Sequence, residues 1–307
     1  MSSAVHWEVP ASLRPAYEVC RDITQRHART YYLAATLLPG PRRPHVWALY
    51  AFARVSDDLV DEPTGDPAQD LAAWRAATMA ALRSHGPAPD PQASPVLAAL
   101  RCTRECLGLG VGAVEEFLDS MAMDLHVGEY ATYADLRRYM RGSAAVIGEM
   151  TAPLLGASGE AAMTHAAALG EAFQFTNFVR DVAEDRGRGR TYLPLEDLAR
   201  HAVTVAELDE CVRTRRPTPA VRRLLADEVD RGLHLYELAR PGLNMVDGRC
   251  QPCVAVAFDL YRQILVQIRQ CRYDVFARRI VVPTLRRGTA VLGAFSRYAR
   301  LGSSRGS

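Results

Sequence analysis

Phe173-Gln-Phe-Thr-Asn-Phe-Val-Arg-Asp-Val-Ala-Glu-Asp185 reads as a helix with an apolar body and one polar, acidic stripe. Gln174, Asn177, Asp181 and Asp185 recur at steps of three, four and four, so they share a face. Phe173, Phe175, Phe178 and Val182 between them are core-forming residues. A second stretch repeats the pattern upstream: Trp47-Ala-Leu-Tyr-Ala-Phe-Ala-Arg-Val-Ser-Asp-Asp-Leu-Val-Asp61. There Tyr50, Arg54, Asp57 and Asp61 form the stripe, among Trp47, Leu49, Phe52 and Val55. An acidic stripe set into apolar sequence is costly unless a cation meets it. Two solvated helix faces are the plain alternative to a buried divalent-metal site.

The rest of the chain reads as helix too. The pattern predicts helices over 13–37, 44–61, 67–82 (capped by Asp66), 95–107, 113–126, 133–155, 159–185, 205–213, 219–239 and 251–277. The breaks fall at Pro39-Gly-Pro41, His85 to Pro91, Gly108 to Gly112 and Pro217-Thr-Pro219. No run alternates as a strand does. The expectation is one all-α domain over 1–307, with a flexible loop over 186–204 and a basic tail over 275–307. Arg186-Gly-Arg-Gly-Arg-Thr-Tyr-Leu-Pro194 does not suit a regular helix, and Gly187 and Gly189 would let it close over the site.

Composition narrows the chemistry. Of 307 residues, 37 are basic and 35 acidic, and all 37 are arginine. Without lysine there is no P-loop lysine and no Schiff base. The net charge of +2 gives no nucleic-acid signature. Seven scattered cysteines suit a reducing compartment, and Cys250-Gln-Pro-Cys253 lacks the second pair a zinc site needs. Met1 to Pro10 has no apolar run, and no stretch approaches the roughly 20 apolar residues of a membrane span. A cytoplasmic location follows as an expectation. After Asp274 come seven arginines and no acid, interleaved with Val281, Leu285, Val291, Leu292 and Phe295. That tail reads either as a core helix with a basic face or as a contact with an anionic membrane surface.

Mg²⁺ takes oxygen ligands and shares its shell with substrate phosphates, and Mn²⁺ can replace it. Asp57, Asp58 and Asp61 on one helix and Asn177, Asp181 and Asp185 on another offer such ligands. Facing each other, they could hold ions bridged by a diphosphate. Arg54, Arg180, Arg188 and Arg190 stand beside the stripes for the same oxygens. The remaining surroundings are apolar, so the implied substrate is an alkyl diphosphate. Tyr31, Tyr50, Tyr139, Tyr192 and Tyr261 are candidates to steer a carbocation, with packing the plain alternative for each.

Residues Leu169 to Pro194 resemble the second conserved segment of the squalene/phytoene synthase family, and Tyr50 to Glu62 resemble the first. The likeness extends from His27-Ala-Arg-Thr-Tyr-Tyr through Met121-Ala-Met-Asp124 and Tyr139 to Arg278. It implies an isoprenoid-synthase helical bundle around a central cavity. It also implies head-to-head joining of two prenyl diphosphates through a cyclopropyl diphosphate. By position, Asp57, Asp58 and Asp61 and then Asn177, Asp181 and Asp185 match the metal-binding sets. His27, Arg54, Arg180, Arg190 and Arg278 match diphosphate-binding positions. Tyr50, Tyr139, Gln174, Tyr192 and Tyr261 match polar groups of the cavity. Ala28 and Thr30 depart from family serines, and Met140 to Gly148 departs from the usual segment after the tyrosine. Small Ala34 and Ala35 favour C20 substrates and phytoene as product, with no NADPH. Squalene or dehydrosqualene synthesis from C15 units is the alternative, and a non-catalytic assembly factor a distant one. The partners implied are prenyl diphosphates, downstream carotenoid enzymes and the inner face of a membrane through the tail.

Overall fold

The structure is a computed structural model that describes residues 7–83 and 89–281. Among the described residues it is helical with no strand; a single parallel bridge joins Glu129 and Thr191. In chain order the helices are α1 (Arg14–His27), α2 (Arg29–Ala35), α3 (Arg43–Asp61), α4 (Pro67–Leu82) and α5 (Pro95–Leu107). Next come α6 (Val111–Met123), α7 (Tyr133–Met140), α8 (Val146–Thr151), α9 (Glu160–Arg180) and α10 (Val182–Gly187). The last are α11 (Leu195–Arg200), α12 (Val205–Thr214), α13 (Pro219–Ala239) and α14 (Gln251–Gln270). Of the basic tail expected over 275–307, residues 282–307 lie outside the described residues, as do 84–88 of the loop after α4.

Local chemistry sets several boundaries. Asp66 caps α4 by accepting from the backbone amides of Ala68 and Gln69 at 3.0 and 3.3 Å. Thr132 and Asp135 form a reciprocal capping box on α7. Thr218 caps α13, whose first residue is the proline that a helix start accommodates.

Four expected spans are broken. The first helix interrupts at Ala28 (φ −135°, ψ 63°), which nothing in the residue type demands. The span 133–155 passes through a π turn at Arg141–Ala145. A side chain on Gly142 of that turn would stand 2.0 Å from Ser120 Oγ, so glycine lets the turn lie against α6. The span 159–185 bends at Asp181 (φ −102°, ψ 17°), although the amide of Asp185 still bonds to the carbonyl of Asp181. The span 251–277 stops at Gln270, because Arg272 and Tyr273 take φ of 54° and 60°.

The segment 186–204 is not a plain loop, since it contains α11. Backbone amides of Thr191, Leu195 and Glu196 donate to carbonyls of Gly128, Tyr130 and Ala131. Asp197, 1% exposed, accepts from Arg231 at 2.7 Å and forms an ion pair with Arg200 at 2.6 Å. Polar anchors of this kind are not visible in a hydrophobic pattern.

Two large apolar cores result, with a small third cluster around Ala152, Ala157 and Ala162. One joins α9, α13 and α14 with the 192–208 segment, through Phe175, Val179, Leu225, Val229, Tyr236 and Leu265. The other joins α1, α3, α5 and α6 through Tyr17, Leu49, Phe52, Leu100 and Phe117. Close approaches of Gly232 to Phe175 and of Gly242, just after α13, to His165 show α13 antiparallel to α9. Cys250 and Cys253 are free, and Cys250 Sγ accepts from Arg42 at 2.9 Å, as a packed thiol. Among the described residues no helix is long and apolar enough to cross a membrane.

Candidate active site

Where the two cores meet, α3 and α6 on one side face α9, α10 and α14 on the other across a chamber of about 830 Å³. Its wall mixes charged side chains with aromatic and apolar ones. Seven carboxylates (Asp57, Asp61, Glu62, Asp124, Asp181, Glu184, Asp185) stand against seven arginines (Arg26, Arg29, Arg54, Arg180, Arg188, Arg190, Arg279). The chamber is thus close to neutral while holding many charges that a ligand could re-pair.

The α3 bank presents Asp57 and Asp61 one turn apart. Asp61 accepts from Arg188 Nη1 at 2.7 Å and also from Arg190. Asp57 accepts from Arg54 at 3.2 Å. The second bank presents Asn177 from α9, Asp181 at the bend and Asp185 from α10. Asp181 is held by Arg180 Nε at 2.7 Å and by Arg279 at 2.8 and 3.0 Å. Asp185 makes no ion pair among the described residues. Burial, then the nearby Asp181, pushes its carboxyl up to about 8. Burial and Asp61 push Asp57 up to about 7. Its side chain keeps 41% of its surface open, so water in the chamber tempers that effect.

Asp124, just beyond the end of α6, accepts from Tyr139 Oη at 2.6 Å and from Tyr192 Oη at 3.1 Å. Burial lifts its carboxyl to about 6, and the Tyr139 bond works the other way. Tyr192 stacks on Phe178 with centroids 4.2 Å apart and on Tyr139 at 5.8 Å. Burial raises the phenols of Tyr50, Tyr139, Tyr192 and Tyr261. All four therefore stay neutral hydroxyls with intact aromatic faces.

Beside the chamber runs an apolar tunnel, lined by Tyr31, Ala34, Ala35, Gly148, Gly170, Phe173 and Ala257 among others. Two ring pairs mark the boundary. Tyr31 on the tunnel side stacks on Tyr50 at 5.5 Å, and Phe173 stacks on Tyr261 at 4.5 Å. Glycine makes the tunnel wall thin: a side chain on Gly170 would stand 2.3 Å from the carbonyl oxygen of Ala144. The free volume is about 130 Å³, roughly four water molecules' share of liquid volume. A long chain must therefore part the walls.

Most residues singled out in the sequence meet here. His27, Tyr50, Arg54, Asp57, Asp61, Tyr139, Gln174, Asn177, Arg180, Asp181, Asp185, Arg190, Tyr192 and Tyr261 all line the chamber. Two do not. Asp58 lies off the chamber wall and pairs with Arg54, because an adjacent residue on a helix points about 100° away. Arg278 is exposed, and its neighbour Arg279 is the one that reaches Asp181. Tyr31 serves the tunnel instead. Asp124 and Glu184 were given no role from the sequence. For Asp124 the signal was an acid ending the apolar Phe117, Met121 face of α6. Arg279 carried no signal that Arg278 lacked.

The donor set suits Mg²⁺, being all oxygen and rich in carboxylate. Among the described residues no three acidic, histidine or cysteine side chains stand close enough to cage an ion. That fits an ion held by one or two carboxylates per side and completed by phosphate.

Residues 24–286 match the model of the squalene/phytoene synthase family. The chain is 35% identical over 289 residues to a 15-cis-phytoene synthase of Synechocystis sp., covering 89% of this chain and 82% of that protein. It is 33% identical to a phytoene synthase of Thermus thermophilus, covering 94% and 95%. Among solved structures it is similar to a dehydrosqualene synthase in complex with ligand, with a TM-score of 0.84 and 26% identity over 94% of this chain and 98% of that one. A squalene synthase from Alicyclobacillus acidocaldarius gives a TM-score of 0.76 and 30% identity, over 87% and 97%.

Proposed function

The chain belongs to the squalene/phytoene synthase family, and on that premise we propose that it joins two geranylgeranyl diphosphates head to head into phytoene. The observation that carries this reading is the pairing of a charge-lined chamber with an apolar tunnel across two aromatic pairs. A prenyl diphosphate has the same two halves. Relatives named phytoene synthase support the C20 choice.

Asp57, Asp61, Asn177, Asp181 and Asp185 would hold Mg²⁺. When bound, Mg²⁺ stabilises negative charge on diphosphate oxygens. The chain's own groups do the rest. Arg54, Arg180, Arg190 and Arg279 exchange carboxylate partners for diphosphate oxygens and orient the leaving group. The neutral rings of Tyr50, Tyr139, Tyr192 and Tyr261 face the allylic cation and stabilise it without supplying a base. The apolar tunnel keeps water from the cation. A cyclopropyl diphosphate forms as the first diphosphate departs and the newly bonded carbon gives up a proton, which the departing diphosphate can accept. It rearranges as the second diphosphate leaves, and loss of a second proton, again to diphosphate, completes the product without NADPH.

The test is incubation of the purified chain and Mg²⁺ with C15 and C20 diphosphates, with and without NADPH, and identification of the product. Phytoene from the C20 substrate without NADPH is expected; consumption of farnesyl diphosphate alone overturns the assignment. A second reading, dehydrosqualene or squalene synthesis from C15 units, draws on the likeness to the dehydrosqualene synthase and on the narrow tunnel. The same assay separates the two.

A further inference from the structure

The segment that brings Arg188, Arg190 and Tyr192 into the chamber is held from outside the chamber. Amides of Thr191, Leu195 and Glu196 tie it to carbonyls of Gly128, Tyr130 and Ala131. After Pro194 it becomes α11, which is fixed to α13 by charge. Asp197 of α11 and Glu228 of α13 are both buried and lie within hydrogen-bond reach of each other. Arg231 Nη1 donates to both, to Asp197 Oδ2 at 2.7 Å and to Glu228 Oε2.

Each carboxyl keeps one further oxygen. Asp197 Oδ1 and Glu228 Oε1 are buried, and neither accepts a hydrogen bond among the described residues. A buried acceptor without a donor is costly, and two buried carboxylates side by side repel. A proton on one of them turns that repulsion into a charge-assisted O–H···O⁻ bond. Glu228 is the one that keeps it. Burial pushes Glu228 up to about 8, partly offset by Arg231. Burial also acts on Asp197, but there Arg231 outweighs it and holds the carboxyl below its ordinary value.

The neighbouring charges are engaged elsewhere or face water. Arg200 pairs with Asp197 Oδ1 at 2.6 Å but is 54% exposed. His201, just after α11, pairs with Asp227 of α13 at 2.8 Å. From α7, the Tyr133 ring lies 4.4 Å from the Arg231 guanidinium, and its amide donates to Glu196 at 2.7 Å. Arg137, also on α7, pairs with Glu171 of α9 at 3.4 Å.

We propose that Asp197 and Glu228 share one proton, that this proton clamps α11 to α13, and that the two carboxyls are thereby positioning residues for Arg190 and Tyr192. The sign follows from the raised value of Glu228: the clamp is whole at low pH and is lost as pH rises through about 8. With the proton gone, two carboxylates face each other across one arginine, and α11 loosens. The clamp does not depend on any substrate; that it sets an alkaline limit on turnover rests on the proposed function.

The test compares the full chain with Glu228→Gln, whose amide can donate to Asp197 at every pH, and with Asp197→Asn, whose amide can donate to Glu228. Hydrogen exchange read by mass spectrometry, without substrate, follows residues 186–200. At pH 7 the wild type and both variants should exchange alike. At about pH 9.5 this segment should exchange about tenfold faster in the wild type than in either variant, with α3 and α9 unchanged. With prenyl diphosphates, the ratio of kcat/KM for Glu228→Gln to that of the wild type should rise from about one at pH 7 to about ten at pH 9.5. The chamber carboxyls and His201 are present in both proteins, so the ratio isolates the clamp. Equal exchange in wild type and variants at pH 9.5 overturns the shared proton. A kcat/KM ratio that stays flat overturns the positioning role. Thermal melting checks folding, and failure of both variants to fold at pH 7 also overturns the proposal, because a fixed donor should serve there as the proton does. A wild type that turns over no prenyl diphosphate at any pH counts against the proposed function and leaves the exchange result standing.

Discussion

Asp124 and its two phenols give a sharp test of the chamber's internal wiring. Tyr139→Phe removes one hydroxyl, 2.6 Å from the carboxylate, and leaves the ring stacked on Tyr192. A hydrogen bond to an ionised group contributes about 1.5–3 kcal/mol, whereas one between neutral groups contributes about 0.5–1.5 kcal/mol. The carboxyl of Asp124 titrates at about 6, raised by burial. At pH 8 it is ionised in the folded protein; at pH 5 it is mostly protonated. The sign follows from the raised value: stability tied to this group is full at low pH and falls as pH rises through 6. Losing the phenol bond raises the carboxyl further and deepens that fall. The cost of Tyr139→Phe should therefore be about 2 kcal/mol at pH 8 and about 1 kcal/mol at pH 5. Urea unfolding of both proteins at the two pH values measures it. In a double-mutant cycle, Asp124→Asn should remove most of the pH difference. Equal costs at pH 5 and pH 8, or a cost below about 0.5 kcal/mol at both, would refute the reasoning.

Asp57→Ala and Asp61→Ala should each lower turnover by about 10²-fold or more with helix content unchanged, whereas Asp58→Ala, off the chamber wall, should lower it far less; steady-state kinetics and circular dichroism check this. Ala34→Leu narrows the tunnel at a residue that is 1% exposed, and should reduce kcat/KM for the C20 substrate about tenfold relative to the C15 substrate. Glu228 is fully buried beside Asp197 and Arg231, and burial, partly offset by Arg231, pushes it up to about 8. Its stability share is whole below pH 4.5 and is lost as pH rises toward 8, at no more than about 1.4 kcal/mol per pH unit. Glu228→Gln should be less sensitive to pH over that window, and a melting-temperature difference from the wild type that stays flat between pH 5 and 9 would count against the pairing.

How much of this was legible in the sequence depended on which force acts at each residue. Helix existence was legible, because apolar spacing and a cap such as Asp66 act within a few residues of themselves. The two acidic banks were legible for the same reason, since steps of three and four need no tertiary knowledge. The bends at Ala28 and Asp181 and the π turn were not, because no local residue type demands them; that Gly142 lets the turn lie close against Ser120 is visible only in the fold. Helix α11 was hidden because buried charge pairs and backbone bonds to 128–131 hold it. Among the site residues, Asp58 misled because adjacency in sequence looks like adjacency in space. Arg279 and Arg278 differ only in which way a non-helical segment points them, and no periodicity reports that.

The even count of charges in the chamber has a consequence for how it binds. A pocket lined by carboxylates alone would take metal in the absence of substrate. A pocket lined by arginines alone would take free diphosphate. Here Asp61 holds Arg188 and Arg190, and Asp181 holds Arg180 and Arg279, so these charges already have partners. A cation arriving alone must displace arginines that then have nothing to bind, and a diphosphate alone must strip them from carboxylates left buried and unpaired, each a costly state. Only a ligand that brings both signs together lets every group re-pair. The same exchange would free the chain between Arg188 and Arg190, around Gly189 at φ +75°, to settle over whatever the arginines now hold. On this argument the ion and the diphosphate bind cooperatively. Titrating Mg²⁺ against the full chain by calorimetry should give weak binding alone and at least tenfold tighter binding with inorganic diphosphate present. Equal affinity in both titrations would mean that the arginines do not stand in for the ligand.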